Sequence, residues 1–220
     1  MLLACWSAKG GSGTTVVSVA LASMLAVSSP AGALLVDLAG DVPALLGLPE
    51  PAGPGVAGWL AAGAVVPVDA LTRLEVQGPG ALRLLARGVP DEADHHVVSE
   101  RGEVLAALLA ADPRPVVADC GSGPAGAGRA LVAAAACSLL VLRPCYLSLR
   151  RAQQVGLRPT GIVLVGRADG SLHAPDVEAA LDAPVVATVP ADAQVARAVD
   201  AGLFGQRVPR SLRRSLRHVA

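Results

Sequence analysis

The chain has 220 residues, enough for one α/β domain with at most an appendage. Hydrophobic residues make up 53% of it and aromatics only 2%, so its core must be built from Ala, Val and Leu. Formal net charge is zero, which excludes a global pull toward nucleic acid or acidic membrane and leaves any such contact to a local patch.

Leu2 to Ala8 is a short apolar run ending at glycine, the pattern of a buried parallel strand. With no charged leader region before it, it reads as a strand and not as a signal peptide. Thr14 to Val27 predicts a helix with Val16, Val17, Ala20, Leu21, Met24 and Leu25 on its apolar face. Ala33 to Asp37 is a second buried strand, with a carboxylate at its C-terminal end. Residues 38 to 100 are irregular and rich in Pro and Gly, with helices expected around Val56 to Ala62 and Val68 to Leu74, and a short strand at Leu82 to Leu85. Glu100 to Ala111 predicts a helix, and Pro115 to Asp119 a third strand ending in a carboxylate. Helices then follow at Gly126 to Ala136, Leu147 to Val155, Asp176 to Leu181 and Asp192 to Ala201. Strands alternate with them at Ser138 to Leu142, Gly161 to Val165 and Val185 to Val189. This alternation predicts a mostly parallel sheet with right-handed crossovers. No run reaches the roughly 20 apolar residues of a membrane span.

The glycine-rich stretch Ser7-Ala8-Lys9-Gly10-Gly11-Ser12-Gly13-Thr14-Thr15 sits between the first strand and the first helix. Strand, glycine loop and helix together make a phosphate site, because loop N–H groups and the positive helix end face the anion. Lys9 is the only lysine of the chain; every other basic residue is arginine. Lysine is a compact charge on a thin stem, which suits a tight loop better than the wide guanidinium fork.

The loop closely resembles the deviant Walker A motif, KGGxGK[ST], of the ParA/MinD family of ATPases. Lys9, Gly10, Gly11 and Gly13 match directly, and Thr15 matches the hydroxyl position that holds Mg²⁺. Leu34 to Asp37 resembles the family strand leading into switch I, and Val116 to Asp119 the strand that carries the Walker B-type carboxylate into switch II. Leu139 to Arg151 and Val185 to Phe204 are similar to later family segments, so the likeness covers most of the chain and is weakest between residues 50 and 100. It implies a single-domain P-loop NTPase over residues 1–206 with a basic, helical tail at 207–220. It also implies ATP or ADP with Mg²⁺ as ligands. Lys9, Gly10, Gly11, Ser12, Gly13, Thr14 and Thr15 would hold the nucleotide, with Thr15, Asp37 and Asp119 at the metal. Lys9 and Asp37 are the candidates for a catalytic part.

Two departures bear on activity. Thr14 stands where the family carries the lysine that contacts the β- and γ-phosphates in the same subunit. Ala39 stands where the family carries an Asp implicated in positioning the attacking water, and alanine neither orients water nor accepts a proton. Asp41, two residues on, would substitute only with a remodelled loop. Gly40 to Leu48 resembles the CpaE/TadZ branch with about three residues deleted before it, which would remove the catalytic Asp and keep the helix downstream.

The resemblance therefore implies an atypical spatial organiser, in the cytoplasm or peripheral at the inner face of the membrane. It would act as a homodimer, with Lys9 reaching across, and with a protein partner in pilus, secretion or division machinery. Two alternatives stay open: an active ParA-type ATPase for chromosome or plasmid partitioning, and a pseudo-ATPase scaffold that ignores nucleotide. Residues Arg207 to Ala220 hold five arginines and no acid, with Leu212, Leu216 and Val219 on one helical face, which offers a peripheral contact with anionic lipid or docking on the domain. DNA binding through arginines such as Arg150, Arg151 and Arg158 is less favoured by the zero net charge. The four cysteines, Cys5, Cys120, Cys137 and Cys145, form no CxxC pair or zinc spacing and read as free thiols of a reducing compartment. Cys120 after Asp119 as a nucleophile, and His95-His96 with Asp91, Glu92 and Asp94 as a metal site, are weaker candidates than a switch segment and a solvated loop.

Overall fold

The computed structural model describes residues 1–62, 69–89, 99–166 and 172–219. In chain order the elements are β1 (Leu2–Ser7), α1 (Thr14–Ser28), β2 (Ala33–Asp37), α2 (Val42–Leu46), α3 (Gly55–Ala61) and α4 (Ala70–Leu74). They continue with β3 (Val76–Gln77), β4 (Leu82–Leu85), α5 (Ser99–Ala110), β5 (Val116–Ser122), α6 (Gly126–Ala134) and β6 (Cys137–Leu142). The last are α7 (Tyr146–Val155), β7 (Gly161–Gly166), α8 (Ala174–Leu181), β8 (Val185–Pro190), α9 (Ala193–Asp200) and α10 (Arg210–Leu216). The strands form one eight-stranded sheet in the order β3-β4-β2-β5-β1-β6-β7-β8. Every pairing is parallel except β3 with β4.

The alternation of side chains along β1 divides the core. Leu3 and Cys5 face a cluster with Val17, Ala20 and Leu21 of α1, Leu45 and Leu46 of α2, Phe204, and Leu212 and Leu216 of α10. Leu2, Ala4 and Trp6 face the opposite cluster, with Trp59, Leu105, Leu131, Ala152 and Val177 from α3, α5, α6, α7 and α8. With helices on both faces the central strands are buried on both sides, which is why they read as unbroken apolar runs in the sequence. Trp6 is wholly buried and satisfies its indole N–H by donating to Ser138 Oγ on β6 at 3.0 Å.

The expected elements are present, with informative differences at their ends. β5 runs three residues past Asp119, to Ser122, because Ser7 still pairs with Ser122 beyond a register shift. The stretch read as irregular after residue 38 contains α2, whose Pro43 sits in the first turn, and the two-residue strand β3, too short for any periodicity to reveal. The His95-His96 cluster and Val68 lie outside the described residues. The tail is helical, but its apolar stripe is spent on the core: Leu212 and Leu216 are fully buried and Val219 packs beside them. Among its described residues the exposed ones are the five arginines and His218, so a lipid contact by this segment cannot insert its leucines as the sequence pattern suggested; it would rest on charge.

Candidate functional site

β1 delivers the glycine loop to the C-terminal edge of the sheet. Gly13 caps α1 with φ +90°, a left-handed conformation that glycine adopts freely and other residues rarely adopt. The first turn of α1 has no carbonyls before it to accept its N–H groups, so these donors point outward at the loop. Ser12 Oγ donates to the carbonyl of Lys9 at 2.7 Å, and the buried Ser7 Oγ reaches the same carbonyl at 3.1 Å. Ser7 Oγ also donates to Gly121 O at 3.4 Å, and the Ser7 backbone carbonyl accepts the Gly123 N–H at 2.7 Å. The loop is thereby pinned to the end of β5. Ser7 stands at the position the common loop pattern gives to its first glycine, and the structure shows what its hydroxyl holds there.

The loop encloses a cavity of roughly 460 Å³ lined by Gly10, Gly11, Ser12, Gly13, Thr14 and Thr15 on one side and by Leu38, Ala39, Asp41 and Gly121 on the other. Of the predicted loop residues, Lys9 is not in its wall, and it is half-buried. Thr14 is buried in the wall, where a lysine would have put a charge. Among the described residues no Lys or Arg lines the cavity.

Beneath it lie two carboxylates. Parallel pairing of β2 with β5 sets Asp37 directly beside Asp119, and both are fully buried. Asp37 accepts three backbone N–H groups of the turn that follows: Ala39 at 2.9 Å and Gly40 at 2.6 Å on Oδ1, and Val42 at 3.2 Å on Oδ2. Burial still outweighs those bonds and raises its pKa. Asp119 accepts the Gly121 N–H at 3.2 Å, and among the described residues its buried Oδ2 has no partner within normal hydrogen-bond geometry. Burial pushes Asp119 up to about 6; the nearby Thr15 hydroxyl favours its charged form, and Asp37 opposes it. An orphaned buried carboxylate oxygen beside a threonine hydroxyl suits a hard cation with oxygen ligands. Gly121 holds φ +64°, and a Cβ there would stand 3.3 Å from the Ala39 methyl, so the two strand ends meet closely over the carboxylates.

A second cavity of roughly 510 Å³ adjoins the first through Gly13 and Val16. It is an apolar slot under α9, walled by Val16, Val165, Val189, Pro190, Val195 and Val199, with Arg143 at its edge. Spacing along the chain gave no hint of it, because its walls come from α1, β7, β8 and α9. The cysteine candidate fails here: Cys120 is buried, burial raises its thiol well above the ordinary value, and a thiol held protonated is a poor nucleophile. Among the described residues no three His, Cys, Asp or Glu side chains gather as a metal cluster, and no helix is long and apolar enough to cross a membrane.

No family model and no curated protein matches the sequence. Solved structures do match its fold. A ParA family ATPase from Chlorobium tepidum is 20% identical with a TM-score of 0.76, over 98% of this chain and 95% of that one. The septum site-determining protein MinD from Pyrococcus horikoshii, in complex with Mg-ADP, is 18% identical with a TM-score of 0.76, over 97% and 91%. MinD in the MinC:MinD cell division complex of Aquifex aeolicus is 21% identical with a TM-score of 0.70, over 91% and 85%. At these identities the likeness is one of architecture, and the chain has the α/β fold of the ParA and MinD ATPases.

Proposed function

We propose that this chain is an atypical, nucleotide-binding member of the ParA/MinD family, near its CpaE/TadZ branch, with weak or absent hydrolysis. It would act as a spatial organiser of pilus, secretion or division machinery. The observation that carries the reading is the glycine-loop cavity set over the paired carboxylates Asp37 and Asp119, with Asp119 Oδ2 lacking a partner among the described residues. Gly10 to Thr15 present N–H groups to the phosphates of ATP or ADP. Thr15 by its hydroxyl and the carboxylates of Asp37 and Asp119 would hold Mg²⁺, as hard oxygen ligands do. The cation supplies charge neutralisation at the phosphates. The apolar slot under α9 takes the base, since it opens from the same loop through Gly13 and Val16.

Lys9, off the wall of its own cavity, would serve a second copy, with a homodimer as the nucleotide-bound state. Slow chemistry follows from Ala39, which lines the cavity and has no group to position water. The MinD structures, one with Mg-ADP and one with MinC, support nucleotide-linked partner binding as the mode of action. The arginine face of α10 would support a peripheral contact with anionic membrane through charge.

One observation favours the alternative of an active ATPase of the partitioning type: Asp41 also lines the cavity, and its side chain caps nothing in α2. In that reading Asp41 takes the water-positioning role and Asp41→Asn abolishes turnover.

Calorimetric titration with Mg-ATP, on the protein and on Lys9→Ala, with mass followed by light scattering, tests the proposal. Binding with a Lys9-dependent doubling of mass is expected. Absence of heat and of a mass change up to millimolar ATP would leave a nucleotide-independent scaffold.

A further inference from the structure

A cavity built for a triphosphate needs positive charge, and among the described residues no Lys or Arg of its own chain stands in the walls of this one. Thr14 removes the lysine of the loop, and Lys9 lies off the wall. The carboxylates of Asp37, Asp41 and Asp119 add negative charge around it. Among the described residues, the far, switch-side end of the cavity, between Ala39 and Gly121, has no Lys or Arg of its own chain.

Arg87 lines an adjoining cavity of roughly 190 Å³, which shares Leu38, Cys120 and Ser122 with the loop cavity. β4 pairs with β2 in register, Val36 with Leu85, so the residue two past Leu85 emerges beside Leu38 and Ala39. Its Nη1 donates to Ala39 O at 3.2 Å, and Ala39 is a wall residue of the cavity. The same nitrogen lies 3.6 Å from where a Cβ on Gly40 would be. Its backbone is fixed: Arg87 O accepts the Ala57 N–H at 3.0 Å and Ala86 O the Val56 N–H at 2.9 Å, both from the first turn of α3. A side chain on Gly55 would collide with Arg87 O at 2.4 Å, so the packing there is close. The guanidinium, in contrast, is exposed and makes no ion pair among the described residues. A rigidly mounted arginine thus rests a donor on the neutral carbonyl of a residue in the loop-cavity wall, where no Lys or Arg of the same chain stands among the described residues.

We infer that Arg87 is the cis cation of this site, which leaves the Ala39 carbonyl to bind the terminal phosphate of a bound nucleoside triphosphate in place of the charge missing at Thr14. A guanidinium forms paired hydrogen bonds with phosphate oxygens, which a carbonyl cannot match. The inference rests on the nucleotide reading above and adds to it a preference for three phosphates over two.

The test is titration with Mg-ADP and with the non-hydrolysable triphosphate Mg-AMP-PNP, on the protein, Arg87→Ala, Arg87→Lys and Arg143→Ala. Arg87→Ala is expected to weaken Mg-AMP-PNP by about ten- to a hundredfold, the range of one charge-assisted contact, and to leave Mg-ADP within about twofold. Arg87→Lys should recover part of the loss, and Thr14→Lys added to Arg87→Ala should restore triphosphate binding. Unchanged melting of Arg87→Ala confirms that the exposed side chain is not structural. Equal weakening of both nucleotides, no weakening, or a triphosphate-specific loss in Arg143→Ala instead would overturn the assignment with nucleotide binding intact. A protein that binds neither nucleotide would overturn the nucleotide reading itself, and the assignment with it.

Discussion

Two carboxylates side by side, buried to the same depth, stand in opposite relations to stability. Asp37 holds a turn together, because three N–H groups of residues 39 to 42 end on it. Removing it leaves those donors without acceptors, each costing about 1–3 kcal/mol where water cannot reach. Asp37→Ala is therefore expected to lower stability by at least about 2 kcal/mol in urea unfolding. Asp119 holds almost nothing, and its pKa is raised to about 6 from 3.8. The sign follows directly. A carboxyl whose pKa is higher in the fold than in the open chain favours the fold when protonated, below about pH 4. That contribution is lost as pH climbs through 6, and amounts to about 3 kcal/mol at 1.36 kcal/mol per unit. Asp119→Asn, which keeps an acceptor for the Gly121 N–H, is expected to raise the melting temperature at pH 7.5 and to flatten its fall between pH 4 and 7 in the absence of nucleotide. A neutral or lower melting temperature would show that Asp119 Oδ2 is already satisfied in solution. A cost carried in the free protein at this atom is what a site reserved for a cation exhibits.

Among the elements, the edge of the sheet is closed by an ion cluster. Arg114, just before β5, donates to both oxygens of Glu75, at 2.9 and 2.7 Å, and to both of Asp112, at 2.9 and 2.7 Å. The Glu75 side chain is 6% exposed and its other partner, Arg83, is at 3.4 Å. Arg114→Ala leaves a buried carboxylate nearly alone and is expected to cost about 3 kcal/mol in denaturant unfolding, within the range for breaking one side of a buried pair. Arg114→Lys should rescue little, since one ammonium cannot serve both forks. None of this was legible in the sequence, because the partners are 39 residues apart and β3 is a two-residue strand. What was legible had a physical period or a local signal. The central strands are apolar on both faces and so stood out as runs. The glycine loop stood out because backbone geometry demands glycine at Gly13. The fate of the tail stripe was not legible, since an amphipathic helix looks the same whether its apolar side meets lipid or its own core. The structure decides for the core, so Leu212→Ala is expected to cost about 2–5 kcal/mol, whereas Arg214→Ala on the outer face should change stability by less than about 0.5 kcal/mol.

At the scale of the whole molecule, the two faces of the sheet are unequally packed near the site. On one face α5 and α6 bury Leu105 and Leu131 completely. On the other, α9 buries none of its residues, and a slot of roughly 510 Å³ lies beneath it, continuous with the loop cavity through Gly13 and Val16. A helix held by partly buried Val195, Ala198 and Val199 opens at small cost, so its amides should exchange faster than those of α1 in the free protein. A ligand that spans both cavities stabilises whatever it touches and little else. Hydrogen exchange with and without Mg-ATP therefore reads the placement of the whole nucleotide. Protection is expected to rise together at Gly10 to Val16, at the turn Leu38 to Val42, and along α9, while α5 and α6 stay unchanged. Protection confined to the loop and turn, with α9 exchanging as before, would place the phosphates as proposed and put the base outside the slot. The loop would then be a phosphate site whose selectivity lies at its switch end, where Ala39, Asp41 and Arg87 meet, and not in the apolar slot under α9.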